Sequence, residues 1–192
     1  MAVRQRRTAE QSKANILEVA EKRLRQHGLE GLNVTAVAQE AGISHATLLH
    51  HFGTVDGMRE ALADQMFLSL IRDMVDAVSA SVPPAEITQR LFDTLSEGGH
   101  ATLLAWRKVD SSRQRKDPTP VAELFTRLMD TATESLDEES AEDVRRMFYL
   151  VSCAAIGHGL SGAVLADVMG MPASEVESVP QWAIRRLGGK PG

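Results

Sequence analysis

Between Met147 and Ala166 the chain runs for twenty residues without an Asp, Glu, Lys or Arg. A helix that is apolar around most of its circumference has to be covered on several sides, by its own protein, by a partner or by lipid. Twenty residues match the length of a membrane span, but Ser152, Gly157, His158, Gly159, Ser161 and Gly162 dilute the run. Small residues three and four apart also suit close helix packing away from lipid, so a buried helix is expected and a membrane partner is not. One protomer of 192 residues rarely covers such a helix all round, and a second copy is its natural cover. Ala154, Gly157, His158, Ser161, Gly162, Leu165 and Trp182 are the expected homodimer contacts.

The rest of the chain is also written in helical periods. Ile16, Leu17, Ala20 and Leu24 form one stripe of a first helix from Thr8 to about Gln26, and Gly28 suits its left-handed end. Asn33 is placed to cap a short helix over 34–40, with Val34, Val37, Ala38 and Ala41 facing inward. Gly42 breaks it, and Ser44 is placed to cap a third helix from His45 to about His51 that buries Leu48 and Phe52. A long fourth helix is predicted over 55–79, closed by Pro83-Pro84. Further helical patterns cover 86–97, 101–109, 121–136, 142–169 and 175–187, the last interrupted or started near Pro180. Nothing alternates with period two for long enough to make a strand. The expected fold is all-α: a three-helix head over 1–54, joined by a long helix to a helical-bundle body over 55–192.

Composition narrows the function classes. Hydrophobic residues make up 43% and charged residues 24%, which excludes a disordered chain. The lone Cys153 forms no intrachain disulfide and leaves a Cys-rich zinc module without ligands, so a reducing cytoplasm is the expected compartment. No apolar stretch follows the basic Arg4, Arg6 and Arg7, and a signal peptide is not expected. Residues 1–53 carry seven Lys and Arg against five Asp and Glu, a balance of +2 that leaves −7 for the remainder. A basic head on an acidic body suits attraction of phosphate to one end of a protein.

The stretch from Val34 to Phe52 puts two short helices around a glycine turn, behind a longer supporting helix. That is helix-turn-helix spacing. With Leu48 and Phe52 pinning the third helix inward, its other face presents His45, Ala46, Thr47, His50 and His51. Such a face, at a helix N-terminus whose free amides and dipole attract phosphate, enters the major groove of duplex DNA in helix-turn-helix proteins. Asn33, Thr35 and Ser44 border this face, and Arg4, Arg6 and Arg7 form an arm for phosphates.

Ile16-Leu17 through Gly28, Asn33-Val34 through Ala38, Ala41-Gly42-Ile43-Ser44, Thr47-Leu48 and His50-His51-Phe52 together resemble the DNA-binding head of the TetR family of transcriptional regulators. The resemblance covers about residues 9–60. It implies a homodimer reading a pseudo-palindromic operator in double-stranded DNA, and a body whose pocket takes a small-molecule effector that releases a repressor from DNA. It places Thr47 at a position that commonly touches DNA, Ser44 at the helix cap, and His45 and Ala46 where base preference is set. A two-fold pair would space the recognition helices about 34–36 Å apart. Two positions depart from the pattern: Leu49 stands where the family usually has Tyr, and Val55 where it usually has Lys. Arg4, Arg6, Arg7 and Lys13, with His50 or His51, are the compensating phosphate contacts. The expected salt dependence is shallower than the family norm, by about 0.9 in log–log slope for each missing cation.

Phe92, Leu95, Leu103, Trp106, Leu128, Met129, Met147, Phe148 and Val151 are the candidate pocket lining, although an apolar helical stripe also reads as core. Competing classes are a degenerate head serving as a protein-interaction module and a helical-bundle enzyme. For the enzyme, Glu97-Gly-Gly-His100 has a di-iron spacing, but the glycine pair breaks the helix and the further carboxylates are missing. His50-His51 point about 100° apart and lack a third ligand. Cys153 and His158 read as a packed thiol and a satisfied histidine. No nucleophile elbow, phosphate-binding loop or dinucleotide fingerprint occurs; no catalytic residues, metal or cofactor are expected.

Overall fold

The structure, a computed structural model, describes residues 8–109 and 120–187. Among them it contains nine α-helices and one 3₁₀ turn, and no strand. Two compact units divide the chain, one ending at Gln65 and the other beginning at Met66. The division falls inside the long helix, eleven residues beyond the boundary expected after residue 54, because Met58 and Leu62 in its first turns are fully buried.

In the first unit, α1 (Ala9–His27) begins at Thr8, whose hydroxyl accepts from the Gln11 amide while the Gln11 side chain accepts from the Thr8 amide. This reciprocal cap satisfies two amides that a helix start otherwise leaves open. Ile16, Leu17, Ala20 and Leu24 are buried along one stripe, as their spacing predicts. The chain then tightens into a 3₁₀ turn over Gly28–Gly31, with Leu32 fully buried behind it. Asn33 caps α2 (Val34–Ala41) by accepting the Ala36 amide at 2.9 Å, and its own amide nitrogen donates to the Glu30 carbonyl at 3.0 Å. Asn33→Ala is expected to destabilise the first unit by about 1 kcal/mol. Urea unfolding followed by circular dichroism checks this, and an unchanged midpoint would contradict the capping role.

Val37 and Ala38 are buried, whereas Val34 and Ala41 are only half-buried. A carboxylate ties α2 back to α1: Glu40 accepts from Lys22 at 2.7 Å and from Arg23 at 3.0 Å. Hydrogen bonds from Lys22 and Arg23 hold the Glu40 carboxyl below its ordinary range. A carboxyl that ionises more readily folded than unfolded stabilises above its unfolded range, and loses that contribution as pH falls through the folded one.

The helix α3 (His45–Phe52) is followed by α4 (Val55–Ser79), whose first turn is closed by the Thr54 hydroxyl accepting the Gly57 amide at 2.9 Å. The extent of α4 is the one predicted. It stops before Pro83: Val82 donates to the Ala77 carbonyl and Ser81 to that of Val78, with Ser81 at a positive φ of 55°. The second unit continues with α5 (Pro84–Glu97), α6 (His100–Val109), α7 (Pro120–Thr133), α8 (Glu138–Met169) and α9 (Ala173–Leu187). Pro84 opens α5 at a position where its missing N–H has no helical partner to lose.

All five of these helices start earlier than their periodicity indicates, α8 by the most. Asp137 caps α8 through the Ser140 amide at 2.8 Å, and Glu138 and Glu139 lie in the first turn, where the helix dipole favours acids. The same backbone hydrogen bond lowers the Asp137 carboxyl below its usual range. In α9, Pro180 lies inside the helix and is buried; it removes one backbone hydrogen bond without ending the element. The core of this unit gathers Leu70 and Met74 of α4, Leu91, Phe92 and Leu95 of α5, Leu128 of α7, Val151 and Ala155 of α8, and Ile184 of α9.

Candidate nucleic-acid interface

The turn between α2 and α3 is built by one residue that needs the left-handed region. Gly42 has φ 69° and ψ 35°, its amide bonds back to the Ala38 and Gln39 carbonyls, and Ile43 donates to the Ala38 carbonyl at 3.0 Å. Any side chain at Gly42 would strain this helix end. Ser44 then caps α3 by accepting the Thr47 amide at 3.1 Å. Of the residues His45 to His50, only Leu48 is buried, and it is completely so. Burial of that one anchor turns His45, Ala46 and His50 to the exterior, together with Thr35 on α2.

The remaining expected contacts divide. Thr47 is half-buried, and its hydroxyl lies 2.9 Å from that of Ser44. Asn33 and Ser44 hold helix starts with their side-chain oxygens. His51 is less open than its neighbour: it is half-buried and its Nε2 lies 3.1 Å from the Ser12 hydroxyl on α1. Neighbours on a helix point about 100° apart, so His50 faces out while His51 fastens α3 to α1. The ring of Phe52, half-buried, carries the Lys13 ammonium 5.9 Å above its centroid. Arg4, Arg6 and Arg7 lie outside the described residues.

The basic balance of the head is less available than its count implies. Lys22 and Arg23 are paired with Glu40, and Arg25 with Glu21 at 2.7 Å. Among the described residues before α3, Lys13 is the one Lys or Arg without a carboxylate partner. Leu49, in the usual Tyr position, is 39% exposed, and Val55 is half-buried. Neither supplies a polar group to a phosphate.

The second unit holds an apolar cavity of about 260 Å³ between α4, α5, α7 and α8. Its lining includes five of the nine residues expected there: Leu128, Met129, Met147, Phe148 and Val151. Phe92, Leu95 and Leu103 are buried core instead, and Trp106 is half-buried away from it. Met74, Val78, Ile87 and Leu91 are among the other side chains of the wall; helical stripes alone do not show which side chains border empty space.

Little of α8 is covered within one chain, although by length and composition it would reach across a membrane. Ala154, Gly157, Ser161 and Leu165 lie on its exposed side, as expected, and Trp182 of α9 is 56% exposed. Leu150, Leu160, Val164 and Val168 belong to the same bare face. Two expected members turn inward: His158 packs 5.6 Å from the Phe92 ring, and Gly162 stands beside His158. Cys153 is exposed rather than packed. The small residues serve two surfaces, for a Cβ at Gly159 would come within 2.5 Å of the Ser96 carbonyl oxygen on α5. His100, of the Glu-x-x-His spacing, is buried with its ring edge against Phe67 and Nε2 3.3 Å from the Met66 carbonyl.

A three-helix head with a glycine-turned helix pair, followed by a helical body, defines a helix-turn-helix protein with a separate second unit. Residues 16–62 match the bacterial regulatory proteins of the tetR family, so the head of the chain is similar to theirs. The HTH-type transcriptional regulatory protein RaaS of Mycobacterium tuberculosis is 26% identical to it, over 54% of this chain and 55% of its own. The chain thus spans about half the length of that curated relative. The crystal structure of SCO4942 from Streptomyces coelicolor covers 92% of this chain and 97% of its own with a TM-score of 0.58, at 16% identity; the fold is similar over both units.

Proposed function

We propose that the chain is a cytoplasmic, homodimeric, sequence-specific DNA-binding regulator of transcription, a repressor that a small molecule releases from a pseudo-palindromic operator. The observation that carries this reading is that Leu48 is the one fully buried residue of α3, which leaves His45, Ala46 and His50 exposed beside a capped helix start. Side chains there reach base edges in a major groove, while amides and arm cations hold phosphates. The bare apolar face of α8 supports the dimer, since a second copy covers it symmetrically. The apolar cavity supports the effector.

Selection of random duplex DNA by the purified chain tests the reading. Recovery of a two-fold pseudo-palindrome with half-sites about one helical turn apart is expected. A folded dimer that enriches no site at any salt concentration would sink it, and would favour a head that serves as an interaction module. On the selected operator, Thr47→Ala is expected to change the preferred bases. Arg6→Ala should instead weaken all sequences alike and lower the salt slope by about 0.9 for each phosphate that is no longer neutralised. Identical behaviour of the two variants in salt-titrated binding would overturn this division of roles.

A further inference from the structure

From Ala41 to Val55 the chain carries no Asp, Glu, Lys or Arg, yet three of its six histidines stand in this stretch. Every side-chain charge that α3 can present to DNA therefore comes and goes with pH, because histidine is the side chain that changes charge between about pH 5 and 8. His45 occupies the first position of α3, and His50 lies on its exposed side. Neither is engaged in a hydrogen bond or an ion pair among the described residues. His51 differs from both, since its Nε2 is held by Ser12.

The groups packed around α3 leave these two imidazoles without a counter-charge. On α1, Ser12 bonds His51 and the Lys13 ammonium lies over the Phe52 ring. On α2 the one ionisable residue is Glu40, which Lys22 and Arg23 already hold. Asp56, at the start of α4, is paired with Arg59 at 3.2 Å. Within α3 the His51 ring lies 5.9 Å from that of His50. No carboxylate of the described head pairs with His45 or His50, so an anion that completes their charged forms comes from outside the chain.

An imidazolium donates from both ring nitrogens, which suits phosphate oxygens and the two acceptors of a guanine edge. A neutral ring offers one donor and no charge. Phosphate beside the ring favours the charged form, so docking on DNA draws protons onto the helix. We propose that operator binding is coupled to proton uptake at His45 and His50, which makes the head a proton-responsive reader that holds DNA tightest in a mildly acidic medium. This rests on the reading of α3 as the DNA-binding helix. Because the complex holds more protons than the free chain, affinity rises as pH falls, and it levels off once the free imidazoles are charged as well.

Fluorescence anisotropy of the full chain on the selected operator, followed from about pH 8.5 down to about pH 6, tests the coupling across the range in which histidine titrates. With two such imidazoles in each head of the proposed dimer, and about a tenfold gain for each unit by which phosphate favours a charged ring, affinity is expected to rise by about 10² or more. The salt dependence gives a second readout. Its log–log slope should steepen between about pH 8 and about pH 6, by up to about 0.9 for each imidazolium set on a phosphate. His45→Gln with His50→Gln keeps a donor at each exposed position without a titrating charge; it should flatten both profiles while the helical circular dichroism is retained. A pH response that this double variant keeps in full would assign the protons to another group, such as the α-amino terminus of the arm, and overturn the proposal. Operator binding by the native chain that is equal across the range would overturn the coupling and leave the DNA-binding reading in place. Binding at no pH would overturn both.

Discussion

Gly157→Trp is expected to leave the protomer folded and to turn the proposed dimer into a monomer. A Cβ at Gly157 meets no atom within 4 Å in one chain, and replacing a helical glycine does not weaken the helix itself. Gly157 is also exposed, so a larger side chain there points away from the protomer's core. Gly157 nevertheless lies in the middle of the bare stripe of α8, one turn from Leu160 and two from Leu150 and Val164. Two copies meeting along that stripe approach most closely where it has no side chain. An indole there would hold the helices apart and expose Val164 and Val168, 66% and 78% accessible in the single chain. Sedimentation should fall from twice the chain mass to the chain mass, with the helical circular dichroism retained. Operator affinity should drop by about 10² or more, because the second half-site is no longer reached by an attached head. A folded variant that remains dimeric would place the interface elsewhere.

Leu49→Tyr combined with Val55→Lys should tighten DNA binding by about tenfold or more and steepen its salt dependence. Leu49 is already exposed beside His50 on α3, so a phenol in its place adds a donor without disturbing the Leu48 anchor. Val55 opens α4, where a cation faces the positive end of the helix dipole and lowers stability by about 0.3–1 kcal/mol. Against DNA the same cation displaces a condensed counter-ion. One added lysine per head should steepen the log–log slope by about 1.8 for the dimer. Titrating the selected operator from low to moderate salt measures the slope directly. A slope equal to that of the native chain would mean that position 55 does not face phosphate.

Element positions were legible in this sequence wherever a cap and a stripe agreed. Asn33, Ser44 and Thr54 each stand immediately before a helical pattern, and the structure starts α2, α3 and α4 after them. The start of α8 was hidden because Glu138 and Glu139 resemble a solvated loop until Asp137 is seen to cap them. Pro180 concealed the continuity of α9, since proline inside a helix is rare unless packing compensates. At the site, the spacing located α3 and its anchor but did not separate His50 from His51. That separation depends on Ser12, thirty-nine residues earlier. In the same way, Phe92 and Leu128 read alike as apolar helix residues and both lie in the core, yet only Leu128 borders the cavity.

The division of labour within α3 has a consequence for how such a protein changes over generations. Folding of the helix depends on Leu48 and on the Ser44 cap, whereas His45, Ala46, Leu49 and His50 are exposed and carry little of the packing. Substitutions at exposed sites generally alter stability by no more than about 0.5 kcal/mol. On the proposed reading, the address on the genome and the integrity of the fold are thus inherited through separate sets of letters, and a new set of target genes is within reach of a few point mutations in a head that still folds.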